Sequence, residues 1–150
     1  MKFKIFFLYL TLIQIGSSLK SNYSTQCRNR KYLSINASIS IEGCNTSPCK
    51  VKRGSICNVT LNFTPTTQLT TIEVGVSTVV FWIRFYFPGL EVNGCKYLPE
   101  ICPLEADKPE MFFLPLGIPW YAPQGVRDVR IELNSGKDHV LCYDTQVHIV

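Results

Sequence analysis

The chain has 150 residues, of which 46% are hydrophobic, 12% are aromatic and 17% are charged. This length suits one domain with a buried core, and the low charge with many aromatic residues excludes a disordered chain. The formal net charge of +4 is too small to indicate a nucleic-acid-binding protein, and the nine prolines and nine glycines argue against a helical bundle.

Residues 1–18 have the pattern of a secretory signal peptide. Two lysines precede an apolar run over residues 5–15, and small residues up to Ser18 follow it. The run is shorter than the ~20 residues that a membrane-spanning helix needs, and an interfacial anchor is the alternative. We expect cleavage after Ser18, a mature domain of residues 19–150, and secretion to the extracellular space or to the endosomal or lysosomal lumen.

Apolar and polar residues alternate with a period of two in several segments, which is typical of half-buried strands. In residues 32–41 the predicted buried face carries Leu33, Ile35, Ala37, Ile39 and Ile41. Further alternating strands are predicted over residues 56–63, 72–77, 129–133 and 141–149, and residues 111–116 are predicted to form a short apolar strand. Because no segment shows a clear helical stripe, about seven strands joined by turns predict an all-β antiparallel sandwich.

The run over residues 79–87 is too apolar for simple alternation. It predicts either a strand with both faces buried or a bulge near Thr78 that shifts the parity. The aromatic residues of this run and those near residues 112–121 fit either an ordinary core or the lining of a pocket between two sheets.

Seven cysteines suit an oxidising compartment, and their odd number leaves at least one unpaired or bonded outside the chain. They are Cys27, Cys44, Cys49, Cys57, Cys95, Cys102 and Cys142. Cys44 and Cys49 flank a turn-rich tetrapeptide, and Cys95 and Cys102 flank a short loop. Cys27 and Cys142 lie near the ends of the mature chain. A zinc site is the competing interpretation, although no CxxC pair or histidine cluster supports it.

Five Asn-x-Ser/Thr sequons add to the secretory pattern. They are Asn22, Asn36, Asn45, Asn58 and Asn62. The last two fall on the strand face opposite Cys57, so outward glycans would leave that cysteine facing the interior as a free thiol. An intermolecular disulfide is the alternative.

The sequence carries no recognisable catalytic arrangement. It has no GxSxG elbow or glycine-rich phosphate loop, and Cys57 has no identifiable base. The two histidines, His139 and His148, are predicted to be solvated. We therefore expect a protein that is not an enzyme and that has no cofactor or metal.

The ordered cysteines and the motifs around them resemble the ML lipid-recognition family. That family includes the Niemann-Pick type C secreted sterol carriers, the group-two mite allergens and lipopolysaccharide co-receptors, and the sterol-carrier branch fits best. The matching motifs are Cys44 with Pro48-Cys49, residues 58–63, Phe87-Pro88 eight residues before Cys95, Gly94-Cys95, Cys102-Pro103-Leu104, Leu141-Cys142-Tyr143 and residues 147–150.

The resemblance implies an immunoglobulin-like sandwich with an apolar cavity between its sheets. It also implies three disulfides, which are Cys27–Cys142, Cys44–Cys49 and Cys95–Cys102, with Cys57 left over. The residues predicted to bind lipid are Phe81, Ile83, Phe85, Phe87, Ile118 and Tyr121.

One segment departs from the sterol carriers, which have several prolines before the pocket mouth. Here residues 82–88 contain one proline and Arg84. An arginine at a pocket mouth would pair with a carboxylate, which suits a fatty acid. A solvated strand residue is the alternative role for Arg84.

The sequence thus predicts a secreted lipid-binding and transfer protein that holds a sterol, a fatty acid or a similar hydrophobic molecule. We expect a monomer that makes transient contact with a membrane or a receptor. The first alternative is a lipid-dependent innate-immune recognition protein or co-receptor, and the second is a cystine-rich sandwich that binds proteins without any ligand.

Overall fold

The computed structural model describes residues 23–97 and 102–150, and these form nine strands and one short 3-10 turn, Gly94–Lys96. The signal-peptide prediction and Asn22 lie outside the described residues. Among the described residues, no helix has the length and apolar character needed to cross a membrane. The strands are β1 (Ser24–Gln26), β2 (Ser34–Ile41), β3 (Cys49–Val51), β4 (Ile56–Pro65), β5 (Glu73–Val80), β6 (Ile83–Tyr86), β7 (Glu110–Gly117), β8 (Gly125–Ser135) and β9 (Asp138–Ile149).

The strands form two sheets of unequal width. The wider sheet has the order β1-β9-β8-β5-β6, with β3 also paired to β9, and the narrower sheet has the order β2-β4-β7. All pairs are antiparallel except β3 with β9. This architecture confirms the predicted all-β sandwich. The number of strands exceeds the predicted seven because three of them have only three or four residues, which is too short for a clear alternation pattern.

Strand alternation builds the core, because successive side chains point to opposite faces. In β7, Phe112 and Leu114 are fully buried, whereas the intervening Phe113 is 58% exposed. In β4, Val59 and Leu61 are buried in the same way. These side chains pack against the inner residues of the wider sheet, so one core joins both sheets.

The predicted buried face of β2 is wrong at Ile35, which is 51% exposed. The register with β4 shifts between Ile35 and Ser38, and Asn36 has a φ of 54°. A bulge of this kind inserts an extra residue and reverses the parity on one side of it. Ile39 and Ile41 lie beyond the bulge and are buried as predicted.

A tight turn divides the apolar run over residues 79–87, so neither a single buried strand nor a bulge near Thr78 describes it. Phe81 and Trp82 connect β5 to β6 with φ values of 48° and 69°. Positive φ at two successive residues is typical of a type I′ hairpin turn, which usually carries Asn or Gly. The turn escaped prediction because two aromatic residues occupy it, and both are almost fully exposed.

The three disulfides implied by the family resemblance are confirmed. Cys27 is bonded to Cys142, Cys44 to Cys49 and Cys95 to Cys102. Cys57 is the unpaired cysteine among the described residues, and it lies on the inner side of β4 as predicted.

The sequon predictions are consistent with the positions of the asparagines that the structure describes. Asn36, Asn45 and Asn58 are exposed, and Asn62 is half-buried. Asn58 donates from Nδ2 to Glu42 Oε2 at 2.6 Å on the outer face of the narrower sheet.

Adjacent phenylalanines in β7 allow a matched test of this packing. We expect Phe112→Ala to lower the free energy of unfolding by about 3–5 kcal/mol, because it leaves a cavity in the core. Phe113→Ala, on the outer face of the same strand, should lower it by about 1 kcal/mol or less. Denaturant unfolding measures both, and equal losses would contradict the assignment of the two faces.

Candidate functional site

A cavity of about 90 Å³ lies between the two sheets at one end of the sandwich. At this end β4 begins, β7 ends and β8 begins, so the cavity lies beside the loops that join them. The residues that line it are Ile41, Val51, Cys57, Val59, Val76, Ser77, Thr78, Phe87, Leu116, Ile118, Pro119, Ala122, Arg127, Val129, Ile131, Thr145, Val147 and Ile149.

The exposure of the lining residues distinguishes a closed floor from a more open mouth. Val59, Val76 and Ile131 form the floor and are each 1% exposed. Arg127, four residues before Ile131 in β8, is partly exposed at the other end, the mouth, and the partly exposed Phe87 lies beside Val76 at the edge of the wider sheet. A molecule that enters therefore passes the mouth and meets an apolar floor.

The hydroxyl groups around the cavity are already hydrogen-bonded. Thr78 Oγ1 donates to the carbonyl of Asp128 at 2.7 Å, and Thr145 Oγ1 donates to the carbonyl of Tyr23 at 2.8 Å. Ser77 Oγ accepts a hydrogen bond from Arg84. Because these groups are satisfied, the walls present an essentially apolar surface, which suits a hydrophobic ligand.

A small apolar cluster closes the mouth. Val51, Ile118 and Ala122 are buried together there, and Phe87 packs against both this cluster and the main core. The Phe87 amide donates to the Val76 carbonyl at 2.8 Å, which holds the backbone beside β5. The mouth thus depends on a few side chains, whereas the floor belongs to the main core.

Of the predicted lipid-binding residues, the structure brings Phe87 and Ile118 into the cavity lining and leaves four outside it. Phe81 is 88% exposed in the hairpin turn, and Tyr121 is 61% exposed beside Trp120. Ile83 and Phe85 share the inward face of β6 with Phe87 by alternation, yet they are 60% and 50% exposed. These four residues form an apolar rim around the cavity end.

Arg84 lies on the outer face of its sheet. It pairs with Val79, and its Nη1 donates to Ser77 Oγ at 2.8 Å. The structure does not place it in the cavity lining. The charged residue that does line the cavity is Arg127, which the sequence argument missed, although extending the alternation of Ile131 and Val129 by two residues points to it.

Cys57 joins the cavity lining from β4 and packs against both the main core and the mouth cluster. Burial raises the pKa of its thiol, and the negative charge of Glu42 adds to the effect. The side chain therefore remains a neutral thiol at neutral pH and behaves as a small apolar residue.

The profile of the ML domain family matches residues 21–149. The chain is 25% identical to an ecdysteroid-regulated 16 kDa protein of Manduca sexta over 136 residues, which is 89% of this chain and 92% of that protein. It is 37% identical to the NPC intracellular cholesterol transporter 2 of Bos taurus over 70 residues, 47% of this chain and 46% of that protein. A crystal structure of a Niemann-Pick type C2 protein from the Japanese carpenter ant shares the fold, with a TM-score of 0.67, 20% identity, and coverage of 88% and 96%.

The burial of Cys57 predicts slow reaction with alkylating reagents. Only the thiolate reacts, so a raised pKa lowers the reactive fraction at neutral pH, and the rate should rise as the pH increases. We expect iodoacetamide to modify Cys57 several times more slowly than it modifies a short peptide with one cysteine, as followed by intact mass spectrometry. Cys57→Ser is the control for specificity, and a rate equal to that of the peptide would contradict the buried position.

Proposed function

Because the chain belongs to the ML domain family of lipid-binding proteins, we propose that it is a secreted protein that holds one hydrophobic lipid between its two sheets and transfers it. The observation that carries this proposal is the inter-sheet cavity, whose walls are apolar and whose hydroxyl groups are all engaged. The bovine relative is named a cholesterol transporter, and a sterol or a fatty acid has the matching chemistry.

Apolar burial supplies enough free energy for this function. A lipid chain with about 18 buried methylene groups gains about 14 kcal/mol gross from leaving water. Association and ordering then cost roughly 4–15 kcal/mol, depending on the reference state. Few polar contacts are therefore needed, and a catalytic group plays no part in this function.

The ligand has to widen the cavity as it enters. The cavity measures about 90 Å³, whereas pockets for small molecules usually measure roughly 300–1,000 Å³. The floor is held by the main core, so we expect the residues that move to be Phe87 and the mouth cluster of Val51, Ile118 and Ala122. Displacing this cluster exchanges its contacts for contacts with the ligand.

Secretion is supported by three independent features of the chain. Residues 1–18 have signal-peptide character, six cysteines form three disulfides, and exposed sequons occupy the surface. Disulfides persist in the oxidising compartments of the secretory route. We propose the extracellular space as the destination, with the endosomal or lysosomal lumen as the alternative.

The cavity end of the molecule carries the features of a membrane-contacting surface. The hairpin turn exposes Phe81 and Trp82, at 88% and 97%, and the β7–β8 loop exposes Trp120 and Tyr121. The pairing of Thr78 with Val129 shows that β5 ends where β8 begins, so both aromatic tips lie at the same end. Aromatic residues favour the membrane–water interface. We propose that this end contacts the membrane during lipid transfer.

The direct test is to identify what the purified protein carries. We expect native mass spectrometry and solvent extraction of the folded protein to recover a lipid, and sterols or fatty acids to bind when added. A protein that binds neither class in any preparation would exclude the proposed function and favour a sandwich that recognises other proteins.

Phe87→Ala should weaken lipid binding more than it destabilises the fold. Loss of an aromatic contact in the cavity lining is expected to raise Kd about 10- to 100-fold, with a loss of about 1 kcal/mol in the free energy of unfolding. Displacement of a fluorescent lipid measures the first quantity, and denaturant unfolding measures the second. Phe113→Ala is the matched control, and an unchanged Kd in Phe87→Ala would remove this residue from the site.

Trp82→Ala should slow lipid transfer from vesicles while leaving the affinity for lipid in solution unchanged. The side chain is 97% exposed, so its removal takes away membrane contact without touching the cavity. A transfer assay with phosphatidylcholine vesicles is expected to show a several-fold lower rate. Phe113→Ala again serves as the control, and a rate equal to that of the wild type would exclude the hairpin turn from membrane contact.

A further inference from the structure

Arg127 has a distinctive position in the cavity. It is the third residue of β8 and pairs with Val147, and it follows the same inward alternation as Val129 and Ile131. Among the residues that line the cavity it is the one with a charged side chain. It lies at the partly exposed mouth, whereas the floor beyond it is apolar.

The guanidinium of Arg127 keeps free donor capacity. Its Nη1 donates to the Val126 carbonyl at 3.0 Å and its Nη2 to the Gln124 carbonyl at 3.4 Å. An arginine has five N–H donors in a planar fork that matches a carboxylate or a phosphate. The two backbone contacts therefore leave donors available to a ligand.

Two other arginines, Arg130 of β8 and Arg30 of the loop after β1, have carboxylate partners, and Arg127 differs from them. Arg130 binds Asp144 through two hydrogen bonds at 2.7 and 2.9 Å, and Arg30 binds Glu132 at 2.9 Å. Within residues 23–97 and 102–150, no ion pair includes Arg127. The neighbouring Asp128 alternates to the other face, where its Oδ1 accepts from Gln146 at 3.0 Å.

We infer that Arg127 binds the anionic head of a single-chain lipid whose tail occupies the cavity. This inference rests on the proposed lipid-binding function and narrows its ligand class to lipids that end in a carboxylate or a phosphate. From Arg127 to Ile131 the strand advances about 13 Å, so a head group at the mouth leaves an apolar wall of that length for the tail. A sterol hydroxyl carries no charge and gains little from this arginine.

The test compares ligands that differ only in their head group. Oleic acid, oleyl phosphate and oleyl alcohol have the same tail, and their Kd values are measured by displacement of a fluorescent lipid from the disulfide-bonded mature protein. A charge-assisted hydrogen-bond pair predicts that the wild type binds an anionic ligand about 10- to 100-fold more tightly than the alcohol. The two anionic ligands show whether the site prefers a carboxylate or a phosphate.

Arg127→Gln should remove this preference, so that the acid, the phosphate and the alcohol bind with similar Kd values, and denaturant unfolding checks that the variant is folded. Arg84→Gln is the matched control, because it removes an arginine from the outer face and should keep the preference. Arg127→Lys should retain part of the preference for anionic ligands, because the positive charge remains but the planar fork of N–H donors is lost.

The outcomes separate this inference from the proposed function. If all three ligands and a sterol bind the wild type equally well, the inference is wrong and the lipid-binding function stands. An anionic preference that survives in Arg127→Gln would also overturn the role of Arg127. If none of the ligands binds the wild type, the proposed function itself fails.

Discussion

The unequal width of the two sheets is the constraint on which the rest of this molecule depends. Both sheets bury their inner faces against each other, and side chains such as Phe112, Leu133 and Leu141 are fully buried where they overlap. At the edge, however, the inward-facing Ile83 and Phe85 of β6 are half exposed or more. Apolar surface that the narrower sheet leaves exposed in this way is available for contact with a ligand or a membrane.

The cavity end is consequently held by fewer buried apolar residues than the main core. Its mouth cluster contains three buried residues, Val51, Ile118 and Ala122, whereas the main core contains twenty. Local opening occurs most easily where few apolar contacts hold the chain. A cavity that is too small for a lipid and has a lightly packed mouth is therefore consistent with a binding site that opens as its ligand enters.

Facing direction decides what each polar group near the cavity can do. Arg84 and Arg127 both lie at the cavity end, but the Arg84 side chain lies on the outer face, where it donates to Ser77 Oγ, and Arg127 is among the residues that line the cavity. Cys57 and Asn58 are adjacent in β4, yet the thiol lines the cavity and the amide donates to Glu42 on the outer face. A shift of one residue in the register of any of these strands would move its inward-facing side chains to the outer face and its outer side chains inward.

Most of the fold follows from local patterns. The alternation in β4, β8 and β9 predicted their buried faces, because a half-buried strand requires a period of two, whereas the uniformly apolar β7 gave no such signal. The family resemblance implied the three disulfides, and the structure confirms them. Alternation failed at Ile35 and in the run over residues 79–87, where a bulge and an aromatic hairpin turn break the period. The hairpin turn lacks the Asn-Gly signal that normally marks such turns, and a single Asn36 at positive φ marks the bulge.

By itself, the sequence determined that this is an all-β, disulfide-bonded domain that is rich in apolar residues and has no recognisable catalytic arrangement. It could do so because composition and periodicity can be read directly from the order of the residues. Only the tertiary structure decided which of the many apolar residues line the cavity. Phe87 and Ile118 lie in the lining, Phe81 and Tyr121 lie on the rim, and Arg127 is the one charged residue of the lining. These assignments depend on which strands are neighbours and where the narrower sheet ends, and both are set by long-range pairing between residues that are distant in the chain.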